Sequence, residues 1–163
     1  LLDMYPTLCE LAGLPVPKHV EGRSFVPVLE DPNRRWKPAA FSQFPCPALR
    51  EWAAMPLSPE MRGTFFGPLV RSVEQKLKAE APERYSEDLY NNYLMGYSMR
   101  TGRSRFTIWI DVREPGADPI AVELYDHDND PGENINVARN LKNAPLVHKL
   151  MVQLKSQLRI GDK

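Results

Sequence analysis

The chain has 163 residues, of which 42% are hydrophobic, 26% charged and 9% aromatic, with 21 basic and 21 acidic side chains. That length suits one domain or one large subdomain, and that apolar content is enough for a core, which excludes wholesale disorder. The balanced charge supplies no basic face for nucleic acid, and no apolar run is long enough to span a bilayer.

The first element is a short helix. Asp3 stands where an N-cap belongs and Pro6 falls in the first turn, where a missing N–H costs nothing. Leu8, Leu11 and Ala12 recur at helical spacing, and Gly13 followed by Pro15 ends the helix. With Leu1, Leu2, Met4 and Tyr5 it is apolar on more than one side, so it needs partners on several faces. The chain opens inside this pattern and not at a Met, which reads as a continuation from a longer polypeptide.

Residues 14–38 hold five prolines and read as connecting chain, with one helical turn around Phe25 to Glu30. Residues 39–44 read as a strand ended by Pro45-Cys46-Pro47. Residues 46–68 are irregular, with Trp52, Phe65 and Phe66 as anchors. Over residues 69–80 a helix is predicted, with Leu69, Val70, Val73 and Leu77 on one face and Arg71, Glu74, Lys78 and Glu80 on the other. Residues 83–94, rich in Tyr, are predicted to form a second helix.

The pattern then changes to period two. Residues 96–101 and 105–112 flank Gly102-Arg103-Ser104, a hairpin with Gly in its turn. Phe106, Ile108, Ile110 and Val112 share one face; Thr107, Trp109 and Asp111 share the other. Residues 113–119 are a loop, 120–125 a further strand and 126–136 polar turns. Pro145 starts a last helix, with Leu146, Val147, Leu150, Met151, Leu154 and Leu158 on one stripe. The sum is an α+β fold, a small four-stranded antiparallel sheet packed by a C-terminal helix.

Four groups of side chains suggest chemistry. Asp126 to Glu133 is the richest oxygen cluster, but the sixth and twelfth positions counted from Asp126 are Pro131 and Val137, where a calcium-binding EF-hand needs Gly and Glu. A turn built from Asp, Asn, Pro and Gly accounts for it, and no metal site is expected. His19, His127 and His148 are scattered, and none stands with a Ser or Cys in a triad-like pattern. Cys9 and Cys46 could pair together, pair elsewhere or stay free, with Cys9 reading as a small buried residue on a helix face. Arg100, Arg103 and Arg105 cluster on the hairpin. Guanidinium groups there could line a pocket for an anionic sugar, or pair across the strands with Glu123 or an aspartate.

Several stretches, in order, resemble the C-terminal region of type I sulfatases. They are Asp3-Met4-Tyr5-Pro6-Thr7-Leu8 with Leu11 to Pro15, then Glu21-Gly22-Arg23-Ser24-Phe25 with Pro27 and Leu29. Ser42-Gln43-Phe44-Pro45, Met95 to Thr101 and Arg105 to Trp109 narrow the resemblance to iduronate-2-sulfatases. Glu123-Leu124-Tyr125-Asp126, then Asn129-Asp130-Pro131 and Glu133-Asn134, resembles the family's closing signature. Residues 48–93 match poorly and look like an insertion. On this reading residues 1–38 link to a missing catalytic domain, and residues 39–163 are the C-terminal subdomain, whose four-stranded sheet and helix help to wall the substrate pocket.

The resemblance implies hydrolysis of a sulfate ester of a sulfated sugar, with a formylglycine and calcium, outside the cytoplasm in the periplasm or as a secreted protein. It also implies that the formylglycine, the metal ligands and the sulfate-holding Lys and His precede this region, so no catalytic residue and no cofactor is expected here. Family members mature a Cys in Cys-x-Pro-x-Arg. After Cys46 the proline comes one place early and Ala48 takes its position, so Cys46 is not the nucleophile. Only pocket-wall roles remain, for Gln43 and Arg103. The missing catalytic domain and the sugar are the implied partners, and the apolar first helix is also a surface for self-association. Two other readings compete: an autonomous binding or oligomerisation module, and a fragment of another alkaline-phosphatase-superfamily hydrolase.

Overall fold

The computed structural model describes residues 2–48, 50 and 56–158. The chain divides into two compact units, Leu1–Pro38 and Ala39–Lys163.

The smaller unit holds helices α1 (Met4–Leu11) and α2 (Val26–Glu30). Asp3 occupies the N-cap position of α1 but makes no capping bond with its side chain. Its carboxylate instead accepts Arg23 N–H at 2.7 Å and pairs with Lys37 Nζ at 2.7 Å. A charge-assisted pair outweighs a single cap bond. The same Lys37 hydrogen bond holds the Asp3 carboxyl below the usual carboxylate range, with the Arg23 amide adding to it against the opposing effect of burial. Thr7 ties the unit together: its hydroxyl donates to the Asp3 carbonyl and accepts Phe25 N–H. α1 buries Pro6, Thr7 and Cys9, whereas Met4, Tyr5, Leu8 and Leu11 are exposed. Gly13 closes the helix at φ +67°, the left-handed conformation in which glycine pays no steric penalty.

The larger unit is built on one antiparallel sheet in the order β1-β2-β3-β4. The strands are β1 (Ala39–Pro45), β2 (Leu94–Thr101), β3 (Ser104–Asp111) and β4 (Ala121–Asp126). Gly102 and Arg103 alone connect β2 to β3, a two-residue hairpin turn. β3 ends one residue before Val112, which is therefore off the sheet and exposed.

Alternation assigns the faces. Met99, Phe106, Ile108, Ile110 and Leu124 point to one side, where they pack on Leu150 and Leu154 of α4 (Ala144–Leu158). Val147, Met151 and Leu158 join them, but Leu146 is exposed and lies off the stripe.

The opposite face carries a second core. Its core holds Cys46, Leu57, Val70, Ala81, Leu89, Tyr90, Leu94 and Ile120, with Trp109 packed against it. The cover comes from α3 (Gly67–Glu80) and the segments that flank it. Val70 is the buried anchor of α3, but Leu69 is exposed and Glu74 is buried, so the helix is rotated from the face expected of it. The rotation follows from hydrogen bonding. Glu74 accepts from Arg62 at 2.7 Å and from the Tyr85 hydroxyl, and pairs with Lys78 at 3.4 Å. A carboxylate with three partners can be buried. Trp52 lies outside the described residues, and Phe65 and Phe66 are exposed and stack edge-on against each other, so neither anchors this segment.

No second helix runs over residues 83–94. A 3₁₀ turn (Pro82–Arg84) and one π-helical turn (Leu89–Tyr93) lead directly into β2. The π turn frees carbonyls for distant donors: Asn91 O accepts from Leu57 N, Asn92 O from Arg50 and Tyr93 O from Val112 N. Gly96 lies where Trp109 and Phe44 meet edge-on, with ring centroids 5.1 Å apart. A Cβ there would stand 2.8 Å from the Trp109 ring, so β2 needs glycine at this position. No helix among the described residues is long and apolar enough to cross a membrane.

Two outcomes follow. Phe106→Ala empties a fully buried site and should cost about 3–5 kcal/mol, while Leu69→Ala should cost under about 0.5 kcal/mol, both read by urea denaturation. Equal effects would mean that α3 is rotated the other way. The second concerns pH. Burial alone would raise the Glu74 carboxyl, but the Tyr85 and Arg62 hydrogen bonds outweigh it and hold it below the usual range. Its stabilisation is therefore complete above the unfolded value of about 4.3 and is lost as pH falls through the lower folded value. The melting temperature of the wild type should drop more steeply from pH 5 to pH 3 than that of Glu74→Gln. Parallel curves would remove Glu74 from the acid sensitivity.

Candidate functional site

The half of the second sheet face nearer the β2–β3 turn is where side chains with chemistry gather; Ser98 and Thr107 at its middle are buried, while Ala40 and Ser42 on the β1 edge are exposed. Cross-strand register sets them in rows. One row runs Ala40, Arg100, Arg105, Tyr125, and the next runs Ser42, Ser98, Thr107, Glu123. A third row, Phe44, Gly96, Trp109 and Ala121, borders the second core. The face thus grades from apolar to polar towards the β2–β3 turn.

Most of its polar groups answer one another. Thr107 donates to Ser98 at 2.9 Å. Glu123 accepts from Trp109 Nε1 at 2.7 Å and from the Tyr125 hydroxyl at 3.0 Å. Burial, with Glu123 beside it, pushes the Tyr125 hydroxyl up to about 12. Arg105 Nε donates to Glu133 at 2.6 Å, and His127 Nε2 meets the same oxygen at 2.6 Å. Arg105 is the main reason the Glu133 carboxyl sits below its usual range. Glu133 reaches this point from a backbone at φ +56°, held by Asp130 O accepting its N–H. His127 is nearly buried, and its Nδ1 has no hydrogen-bond partner among the described residues. His19 and His148 are exposed, His148 on the outer side of α4.

The three hairpin arginines separate. Arg105 pairs with Glu133, a residue outside the partners considered for the cluster, Glu123 or an aspartate. Arg103, in the turn, pairs with Asp126 at 2.9 Å and Asp128 at 3.2 Å, with its side chain 63% exposed. Arg100 has no acidic partner among the described residues; its guanidinium donates to the Thr101 carbonyl. Gln43 lies on edge strand β1 opposite Tyr97, on the α4 side of the sheet, and is exposed. Four residues of β2 separate its row from the end of the strand, about 13 Å. Gln43 and Arg103 therefore lie apart, Gln43 on the α4 side of the sheet and Arg103 in the β2–β3 turn.

The Asp126–Glu133 cluster is a turn whose carboxylates are already engaged. Asp126 takes Arg103 and Asn129, which hold it far below the usual range, and Asp130 takes Ile135 N–H and Asn134. No three His, Cys, Asp or Glu side chains among the described residues stand together as a metal site would require. Calcium does not fit these residues. Neither does a formylglycine at residue 46: Cys46 is buried, and burial pushes its thiol up to about 11, with Arg50 opposing and Glu123 adding to the rise. Cys9 and Cys46 are both free thiols. The face presents guanidinium, hydroxyl and carboxylate groups that can bind and orient polar groups.

No family model matches the chain. An iduronate 2-sulfatase of Mus musculus is 29% identical over 177 residues, a stretch that takes in 92% of this chain and 26% of that protein. Among solved structures, a 2-O GAG (glycosaminoglycan) sulfatase is 22% identical with a TM-score of 0.57, covering 98% of this chain and 25% of its own. A phosphonate monoester hydrolase of Agrobacterium radiobacter is 23% identical with a TM-score of 0.53, covering 95% of this chain and 24% of its own. The chain spans about a quarter of the length of the proteins it matches. In sequence and in fold, this chain resembles the C-terminal region of a type I sulfatase, its sequence likeness being to an iduronate 2-sulfatase.

Proposed function

We propose that the chain is the C-terminal part of a sulfate-ester hydrolase acting on a sulfated sugar, and that it contributes a wall of the substrate site and stability, not the catalytic groups. One observation carries this reading: the likeness to an iduronate 2-sulfatase runs over nearly all of this chain yet only a quarter of that protein. The second part of the argument is chemical. The polar face offers guanidinium and hydroxyl groups, which suit an anionic sugar, and no activated nucleophile stands among its described residues. Calcium and a formylglycine belong, on this reading, to the catalytic part; they would polarise the sulfate and supply the attacking hydroxyl there. A sulfated glycosaminoglycan is the substrate class in keeping with the names of the similar proteins, and a periplasmic or secreted location goes with it.

The phosphonate monoester hydrolase likeness favours a second reading, in which the parent cleaves a phosphonate ester and this chain plays the same walling part. One assay separates them. Hydrolysis of an aryl sulfate and of an aryl phosphonate monoester should be measured with calcium, for this chain alone and for the longer gene product that contains it. We expect the aryl sulfate to be cleaved by the longer protein only. Cleavage by the 163-residue chain itself would sink the non-catalytic role. Turnover of the phosphonate alone by the longer protein would establish the second reading.

A further inference from the structure

Arginine is the residue whose neutralisation matters most on a crowded sheet face, and here the accounts differ among three of them. Arg103 is held by two aspartates and Arg105 by Glu133. Arg100 stands directly across from Arg105, so two guanidinium groups share one cross-strand position. Like charges placed so repel, unless an anion lies between or beside them. Glu133 serves Arg105 and is shared with His127. Nothing acidic among the described residues serves Arg100, which is half-buried and donates to the neutral Thr101 carbonyl.

The ground beside Arg100 is open and polar. Its partner on β1 is Ala40, small and exposed, and the next residue on that face of β1 is Ser42, also exposed. Ser98 lies beside Ser42, its hydroxyl already bonded to Thr107. An approach over the β1 edge therefore meets the Arg100 guanidinium, which has no acidic partner among the described residues, beside the small Ala40 and the exposed Ser42. A guanidinium fork matches a carboxylate or sulfate in two parallel hydrogen bonds, and partial burial strengthens the attraction by reducing solvent screening.

We propose that Arg100, flanked by Ser42 and Arg105, anchors an oxyanion-binding site that takes the sulfate or carboxylate of an acidic sugar. The oxyanion site stands on the geometry; the sugar as its source rests on the function proposed above.

The test follows arginine side-chain Nε–Hε resonances of the whole chain while sodium sulfate replaces sodium chloride at constant ionic strength. Arg100 should shift saturably, and Arg103, tied to two aspartates, should shift at least fivefold less. R100Q should abolish the sulfate-dependent response while its amide spectrum stays folded. Should R100Q fail to fold, R100K serves instead: it keeps the charge, loses the fork, and should weaken sulfate binding at least threefold. If Arg100 shifts no more than Arg103, or R100K binds as the wild type does, there is no such site. A 2-O-sulfated uronic-acid disaccharide then identifies the source, and should bind at least tenfold more tightly than inorganic sulfate. Equal affinity would overturn the sugar assignment. A responsive Arg100 in a chain whose longer form cleaves no sulfate ester would instead sink the functional reading and leave the site.

Discussion

The β2–β3 hairpin is the element on which the larger unit depends, because both of its faces have to be paid in burial. Met99, Phe106 and Ile108 are fully buried on one side, and Leu94 on the other. A two-sided hairpin cannot be stable with only one layer of helix, since half its apolar residues would remain in water. The chain meets this with two separate covers. α4, which follows the sheet, closes one face, and α3, which precedes β2, packs on the other. Gly96 is the point of closest fit, since the edge-on packing of Trp109 and Phe44 leaves no room for a side chain.

The second face turns from apolar to polar along its strands, and that change creates a site. Towards the β2–β3 turn, the rows change from Trp109 and Leu94 to Ser98, Thr107 and the arginines. The polar groups there are held in place by the same strands that form the core, so their spacing is set by strand geometry and not by loops. Hydroxyl pairs and the Glu123 and Glu133 carboxylates remove most of the desolvation penalty. Arg100 is the exception, and an exception on a rigid strand is more informative than one on a mobile loop.

Much of this was legible in the sequence. Period-two alternation from Tyr97 to Val112 located the hairpin, and the 3.6-residue period from Val147 to Leu158 located α4, because each pattern is written in consecutive residues. The second cover was not legible in the same way. Leu69 and Glu74 look like opposite faces by polarity, but Glu74 is buried through bonds to Arg62 and Tyr85, twelve and eleven residues away. The Tyr-rich run before β2 has helical composition, yet the chain there makes a π turn whose carbonyls serve distant donors. Of the candidate site, Arg105 opposite Arg100 did not follow from the expected hairpin, whose turn was Gly102-Arg103-Ser104; Ser104 joins β3, and the shorter turn shifts the register by one residue. Nor did Glu133 as the partner of Arg105, since it depends on a turn that brings residue 133 back beside residue 105.

The smaller unit is held by a different kind of force. An eight-residue helix is too short to persist alone in water. α1 has little apolar support, with Leu8 and Leu11 each about 60% exposed. What fixes it is polar: Asp3 gathers Arg23 and Lys37, and Thr7 joins Asp3 to Phe25. Gly22 passes so close to the backbone at Leu2 that a Cβ would collide with it, which sets the path of the chain between these contacts. Such an arrangement specifies a conformation without burying much surface, so its order depends on a few hydrogen bonds and is correspondingly cheap to lose. The sheet unit, by contrast, owes its order to two cores, so the groups on its strands, Arg100 among them, keep a spacing fixed by the ladder.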